Sequence, residues 1–179
     1  MSEGEPLLAL NPREGRIADA VFARMFPADE QAPGAAEIGV LTYLDRALAG
    51  AYASALPDYR GGLGMLDVAS RKRYGTGFAD AKHSQQDELL TDLEAGRIDG
   101  WSLPEQRPFF ELMRAHLQEG LFADPVYGGN RDKLGWRTLG HPGIWLTNSA
   151  AENVAVPPEM PGASVPCRLI LAAGLCTKF

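Results

Sequence analysis

The chain has 179 residues and a mass of 19.3 kDa, enough for one domain whose core needs no disulfide staples. Its 17 Lys and Arg stand against 23 Asp and Glu, a net charge of −6, so it lacks the basic footprint of a nucleic-acid binder. Hydrophobic residues at 45% and charged residues at 22% give the balance of a folded globular chain. No apolar run approaches the roughly 20 residues that a membrane span needs.

Residues 1–10 read as a flexible N-terminal segment without the basic start, apolar stretch or twin-arginine pair of an export signal. Asn11-Pro12-Arg13-Glu14 then supplies an N-cap, a proline at the first helical position and a glutamate that reaches back to the cap. Ile17, Ala18, Val21, Phe22 and Met25 follow at helical spacing, and Pro27 ends the run. A second helix is predicted over 35–49, with Leu41, Leu44 and Leu48 along one side and Gly50 behind it. A third covers about 58–74, its first turn weakened by Gly61, Gly62 and Gly64. Ser84 with Asp87 reads as an acidic capping box opening a fourth helix through Leu89, Leu90 and Leu93 to Gly96. The fifth starts at Pro104 and carries Phe109, Phe110, Met113 and Leu117 before Gly120.

No β-alternation competes with this period, so the predicted fold is all-α: a small bundle of about five helices followed by a Gly/Pro/aromatic-rich loop region. The helical domain is placed at 11–150, with Phe122, Tyr127, Trp136 and Trp145 expected to pack the loop onto the helices. Residues 151–179 read as an extended tail, rich in proline from Pro157 to Pro166. Cys167 and Cys176 lie in that tail and suit either free thiols or one small disulfide loop, without a zinc pattern.

The usual marks of catalysis are absent from the sequence. Gly61-Gly62-Leu63-Gly64 lacks the last glycine of a dinucleotide loop, and there is no phosphate-cradling loop with a lysine and no serine elbow. Of the three histidines, His83 stands near a helix start and His141 before Pro142, where a turn role fits. His116 falls at the margin of the fifth helix's apolar face. It reads either as a hydrogen-bonded core histidine or as a general base paired with Glu119 or Asp124. Asp124, Asn130 and Asp132 offer oxygen ligands, but their spacing is not that of a calcium loop and suits turns instead.

The segment from Gly120 to Gly143 sets aromatics between glycines and acidic turn residues with little aliphatic padding. Such a loop can hold an unusual rigid shape, and its Tyr and Trp have the composition of binding hot spots. The same aromatics serve equally well to plug the loop onto its own helices.

Here the chain closely resembles the gluconate 2-dehydrogenase subunit 3 family. The resemblance rests on Phe109-Phe110-Glu111-Leu112, Asp124-Pro125-x-Tyr127-Gly128-Gly129-Asn130-x-Asp132, Gly135-Trp136 and Gly140-x-Pro142-Gly143. Phe26-Pro27-Ala28-Asp29, Gly34-Ala35, Gly39-Val40 and Tyr43-Leu44-Asp45 extend it over roughly residues 10–150. The resemblance implies a non-catalytic small (gamma) subunit without its own cofactor or metal. Its implied partner is a large FAD-containing dehydrogenase of the glucose-methanol-choline type, often with a multihaem cytochrome c; an iron–sulfur cluster belongs to other subunits, since this chain lacks the cysteines for one. Family members support folding of the large subunit and commonly carry the twin-arginine leader that takes both to the periplasm; the sequence as written shows no leader and the tail after Met160 is unfamiliar. Gluconate, glucose, fructose and glycosides oxidised at the 3-position are all compatible substrates of such a complex.

The resulting expectation is an interface. Tyr127 and Trp136 are its candidate anchors, Asp124 and Asp132 loop organisers, and Gly128, Gly129 and Gly135 backbone enablers. Phe122, Pro125, Asn130 and Gly140 complete the set. Two other readings stand beside it: a stand-alone enzyme using His116 with Asp124 or Glu119, and a free helical regulatory module.

Overall fold

The computed structural model describes residues 6–30 and 32–141. Trp145, the proline-rich tail and both cysteines lie outside them. The described chain is all-α, without a strand among its residues, in the order α1 (Pro12–Met25), α2 (Ala35–Ile38), α3 (Val40–Ala49), α4 (Leu56–Tyr74), α5 (His83–Ala95), α6 (Gln106–Phe122) and α7 (Leu134–Thr138). Short 3-10 turns stand at Ala53–Ala55, Phe78–Asp80, Pro125–Tyr127 and Arg131–Lys133. None of the helices is long and apolar enough to cross a membrane.

The first helix starts where its cap dictates. The Asn11 side chain accepts the N–H groups of Arg13 and Glu14 at 3.0 and 2.9 Å, and Glu14 accepts the Asn11 N–H at 2.9 Å. Its apolar face, with Val21 and Phe22 fully buried, packs on α3, α4 and α5. Leu44, Leu63, Leu93 and Phe109 complete the same core from the other long helices.

Four helices differ from the sequence reading; the fifth, expected from Pro104 to just before Gly120, runs instead from Gln106 through Gly120 to Phe122. The helix expected over 35–49 is two, because Gly39 takes a left-handed backbone (φ +88) and turns the chain between α2 and α3. A Cβ there would stand 3.3 Å from both the Gly128 carbonyl oxygen and an Arg131 nitrogen. The helix with three early glycines begins sooner, at Leu56, and Gly62 lets the Phe109 ring sit directly on the α4 backbone. Helix α5 begins at His83, so Ser84 lies inside it rather than capping it; Gln85 accepts the Lys82 N–H instead.

Residues 8–10, expected within a flexible segment, are tied to the bundle. The Asp45 carboxylate, 3% exposed, accepts the N–H groups of Leu8, Ala9 and Leu10 at 2.6, 3.0 and 2.9 Å. Leu10 enters the core beside it. A second buried carboxylate, Asp67 on α4, accepts the Phe78 N–H at 2.9 Å and the Arg13 and Arg71 guanidinium groups. Burial raises its pKa, yet these donors together outweigh burial and hold the carboxyl below its ordinary value.

Candidate functional site

An α-helix ends with carbonyl groups that have no partner within it, and α6 ends beside a glycine-rich stretch that folds back to meet them. The Asn130 N–H donates to the Gly120 carbonyl at 2.8 Å, and the Asn130 side-chain amide donates to Ala123 at 2.9 Å. The Trp136 indole N–H donates to the Phe122 carbonyl at 2.7 Å. The Asn130 side-chain oxygen accepts the Trp136 N–H at 3.3 Å, which closes the circuit. The loop expected to be mostly irregular is therefore a compact C-terminal cap made of two 3-10 turns and the short α7.

This closeness needs missing side chains. A Cβ at Gly129 would overlap the Gly120 carbonyl oxygen, and one at Gly135 would overlap that of Leu121. The backbone is also held in left-handed geometry at Gly128 (φ +100) and at three non-glycine residues, Asn130 (φ +43), Asp132 (φ +54) and Lys133 (φ +59). Each non-glycine case costs on the order of 1 kcal/mol, so the surrounding hydrogen bonds must hold the shape.

The candidate residues divide by direction. Gly129, Asn130 and Gly135 are buried, with Asn130 at 0% exposure, and they hold the loop from within. Phe122 and Trp136 are half-buried and spend polar groups on each other. Asp124 caps the first 3-10 turn by accepting the Val126 N–H at 3.0 Å, with Pro125 at the turn's start. Tyr127 is 61% exposed, against the expectation that it plugs the loop. Asp132 and Gly140 are exposed as well. The neighbouring Val126, not singled out in the sequence, is 72% exposed and forms the tip with Tyr127.

His116, Glu119 and Asp124 of the enzyme reading make no hydrogen bond to one another, although Glu119 lies close enough to act on the His116 charge. His116 Nδ1 is hydrogen-bonded to the Tyr59 hydroxyl at 2.9 Å, and its ring stacks on Tyr52 at 4.7 Å. The Glu119 carboxylate instead accepts the hydroxyl groups of Tyr43 at 2.5 Å and Tyr52 at 3.4 Å. Asp124 is engaged in its own turn. Burial pushes the His116 pKa below the ordinary histidine value, with Glu119 opposing only in part. Burial first, and then Glu119, pushes the Tyr43 phenol up, which keeps it a donor. Among the described residues, no three His, Cys, Asp or Glu side chains converge as metal ligands.

The network predicts a pH dependence. Unfolded His116 takes up a proton near pH 6.5, whereas the buried imidazole resists it, so the unfolded state binds more protons below that pH. Stability should therefore fall as pH drops from about 7 to 5.5, by at most about 1.4 kcal/mol per unit from this residue. Urea midpoints across that range should show the loss, and His116→Gln should flatten it. Asp67 acts in another window, its contribution fading only below about pH 3.8.

The family model for gluconate 2-dehydrogenase subunit 3 matches residues 12–143, from the first residue of α1 through the end of the cap just described. The chain belongs to this family. The gluconate 2-dehydrogenase subunit 3 match encloses all seven helices and the whole loop. Searches of curated proteins and of solved structures returned no match. As a subunit 3 member, the chain is an accessory component of a dehydrogenase complex. The strap at residues 8–10 lies just before the matched region and is clamped to Asp45 inside it.

Proposed function

We propose that this chain binds and stabilises the large subunit of its dehydrogenase complex without itself carrying out the redox chemistry. The observation that carries this reading is the loop after α6: an internally locked, conformationally costly structure that holds Val126 and Tyr127 out in solvent. Two adjacent apolar side chains displayed on a fixed tip form the kind of surface that a partner covers. The large subunit is a FAD-dependent sugar or glycoside dehydrogenase of the glucose-methanol-choline type, with electrons leaving through a cytochrome c. The complex works in the periplasm, and this chain assists maturation or export of its partner. A small subunit that binds only the native partner raises its folded population by mass action.

Co-expression with the large dehydrogenase subunit tests the reading. The expected product is a stable complex whose flavin absorbance follows the large subunit, while this chain purified alone is colourless and inactive. Tyr127→Ala should lower complex yield at least about tenfold with helicity unchanged, because it removes an exposed aromatic anchor worth about 2 kcal/mol. Turnover or bound flavin in the isolated chain would overturn the assignment.

A further inference from the structure

The loop that carries the apolar tip also gathers cations without ion-pair partners among the described residues, whereas most of the arginines before it are paired with carboxylates. Eight arginines between Arg13 and Arg114 pair with carboxylates, among them Arg24 with Asp87 and Arg97 with Asp92. Arg131, Lys133 and Arg137 are exposed and make no ion pair among the described residues. Of the two carboxylates in the same stretch, that of Asp124 is occupied by its turn. The protein as a whole carries −6, so this stretch opposes the sign of the molecule that bears it.

Position ties the charges to the tip. The Arg131 guanidinium lies by Gly39 together with the Gly128 carbonyl, immediately after Tyr127. Lys133 and Arg137 stand one helical turn apart at the start and end of α7. The fixed backbone from Gly128 to Gly135 holds the two groups in one arrangement, which removes part of the ordering cost of binding.

We propose that the Val126–Tyr127 tip and the Arg131, Lys133 and Arg137 cations form one docking surface, for a protein face in which an apolar depression is bordered by carboxylates. The proposal rests on the partner-binding reading above and names what the partner must offer. The apolar pair supplies adhesion, and the cations steer encounter and reject basic surfaces. An acidic chain uses them to present one attractive face to a partner that its other faces repel.

The test measures binding of the co-expressed and separated large dehydrogenase subunit to the wild type and to the triple variant R131E/K133E/R137E. Helicity is checked by circular dichroism. At about 50 mM salt the reversal should raise Kd about 30-fold, shrinking to about threefold at about 500 mM. The single variant Lys133→Glu, at an exposed position without an ion pair among the described residues, should show a smaller effect of the same salt dependence should the triple variant lose its fold. Wild-type binding with Kd unchanged within about twofold in both charge variants would overturn the docking surface while leaving the partner reading intact. Failure of the wild type to bind at all would overturn both. Charge-dependent binding to vesicles of phosphatidylcholine and phosphatidylglycerol that matches or exceeds binding to the subunit would assign the cations to an anionic lipid instead. A wild-type dimer that the reversal dissociates would assign them to a second copy. Either result overturns the proposal.

Discussion

Gly135→Ala is expected to unseat the loop and abolish partner binding while leaving the helical bundle folded. The added Cβ would overlap the Leu121 carbonyl oxygen and lie 2.9 Å from its carbonyl carbon. These are backbone atoms of α6, so no side-chain rotation relieves the contact and the loop itself must move. Movement breaks the Trp136 indole bond to Phe122 and both contacts of the buried Asn130 side chain. The cost should be about 2–4 kcal/mol for the loop, read as a red shift in Trp136 fluorescence and faster exchange of the Asn130 amide. Gly64→Ala provides the contrast: nothing lies within 4 Å of its Cβ, and the helix interior favours alanine by roughly 0.5–1 kcal/mol. Equal tolerance of both substitutions would show that the cap does not have the stated packing.

Asp45→Ala should be the most damaging single change outside the loop, destabilising the protein by about 3 kcal/mol or more. It removes one buried acceptor from three backbone N–H groups at once, and hydrogen bonds to a charged acceptor are worth about 1.5–3 kcal/mol each before they couple. Asp45→Asn keeps one acceptor oxygen and should fall between. Urea denaturation of both variants, with and without residues 1–10, gives the double cycle. In the truncated protein the Asp45 effect should largely vanish or reverse, because the strap it holds is gone. A loss under about 0.5 kcal/mol in the intact chain would remove the strap from the fold's stability.

The long helices were legible because their signals are local: a cap, an apolar period and a stop, as in the stretch from Asn11 to Pro27. The break at Gly39 was not, since a glycine inside a helical period is ambiguous until something distant, here Gly128 and Arg131, occupies the space beside it. The turn at Pro125–Tyr127 has a local origin in the Asp124 cap and Pro125, but Arg131–Lys133 and Leu134–Thr138 are too short to form on their own propensity and are anchored to the end of α6 by Asn130 and Trp136 bonds that no local pattern encodes. In the candidate site, the composition marked a segment of unusual backbone, but the direction of each residue came only from tertiary structure. Trp136 turned inward to Phe122, and the tip fell to Val126 and Tyr127. Asp45 had a readable signal that carried no weight without the strap: it falls between Leu41 and Leu48 on the buried side of its helix.

The capping of α6 by the loop joins two properties that most proteins keep apart. The exposed pair lies on the short backbone path between the end of α6 and the Asn130 amides that close it, so a shift of either is passed to the other through that path. Whatever grips the tip from outside must tighten that helix end, and whatever frays the helix end must slacken the grip, by equal free energies in both directions. Evolution of a new partner specificity is thereby confined to the outward side chains, because the frame that displays them is also part of the wall of the house.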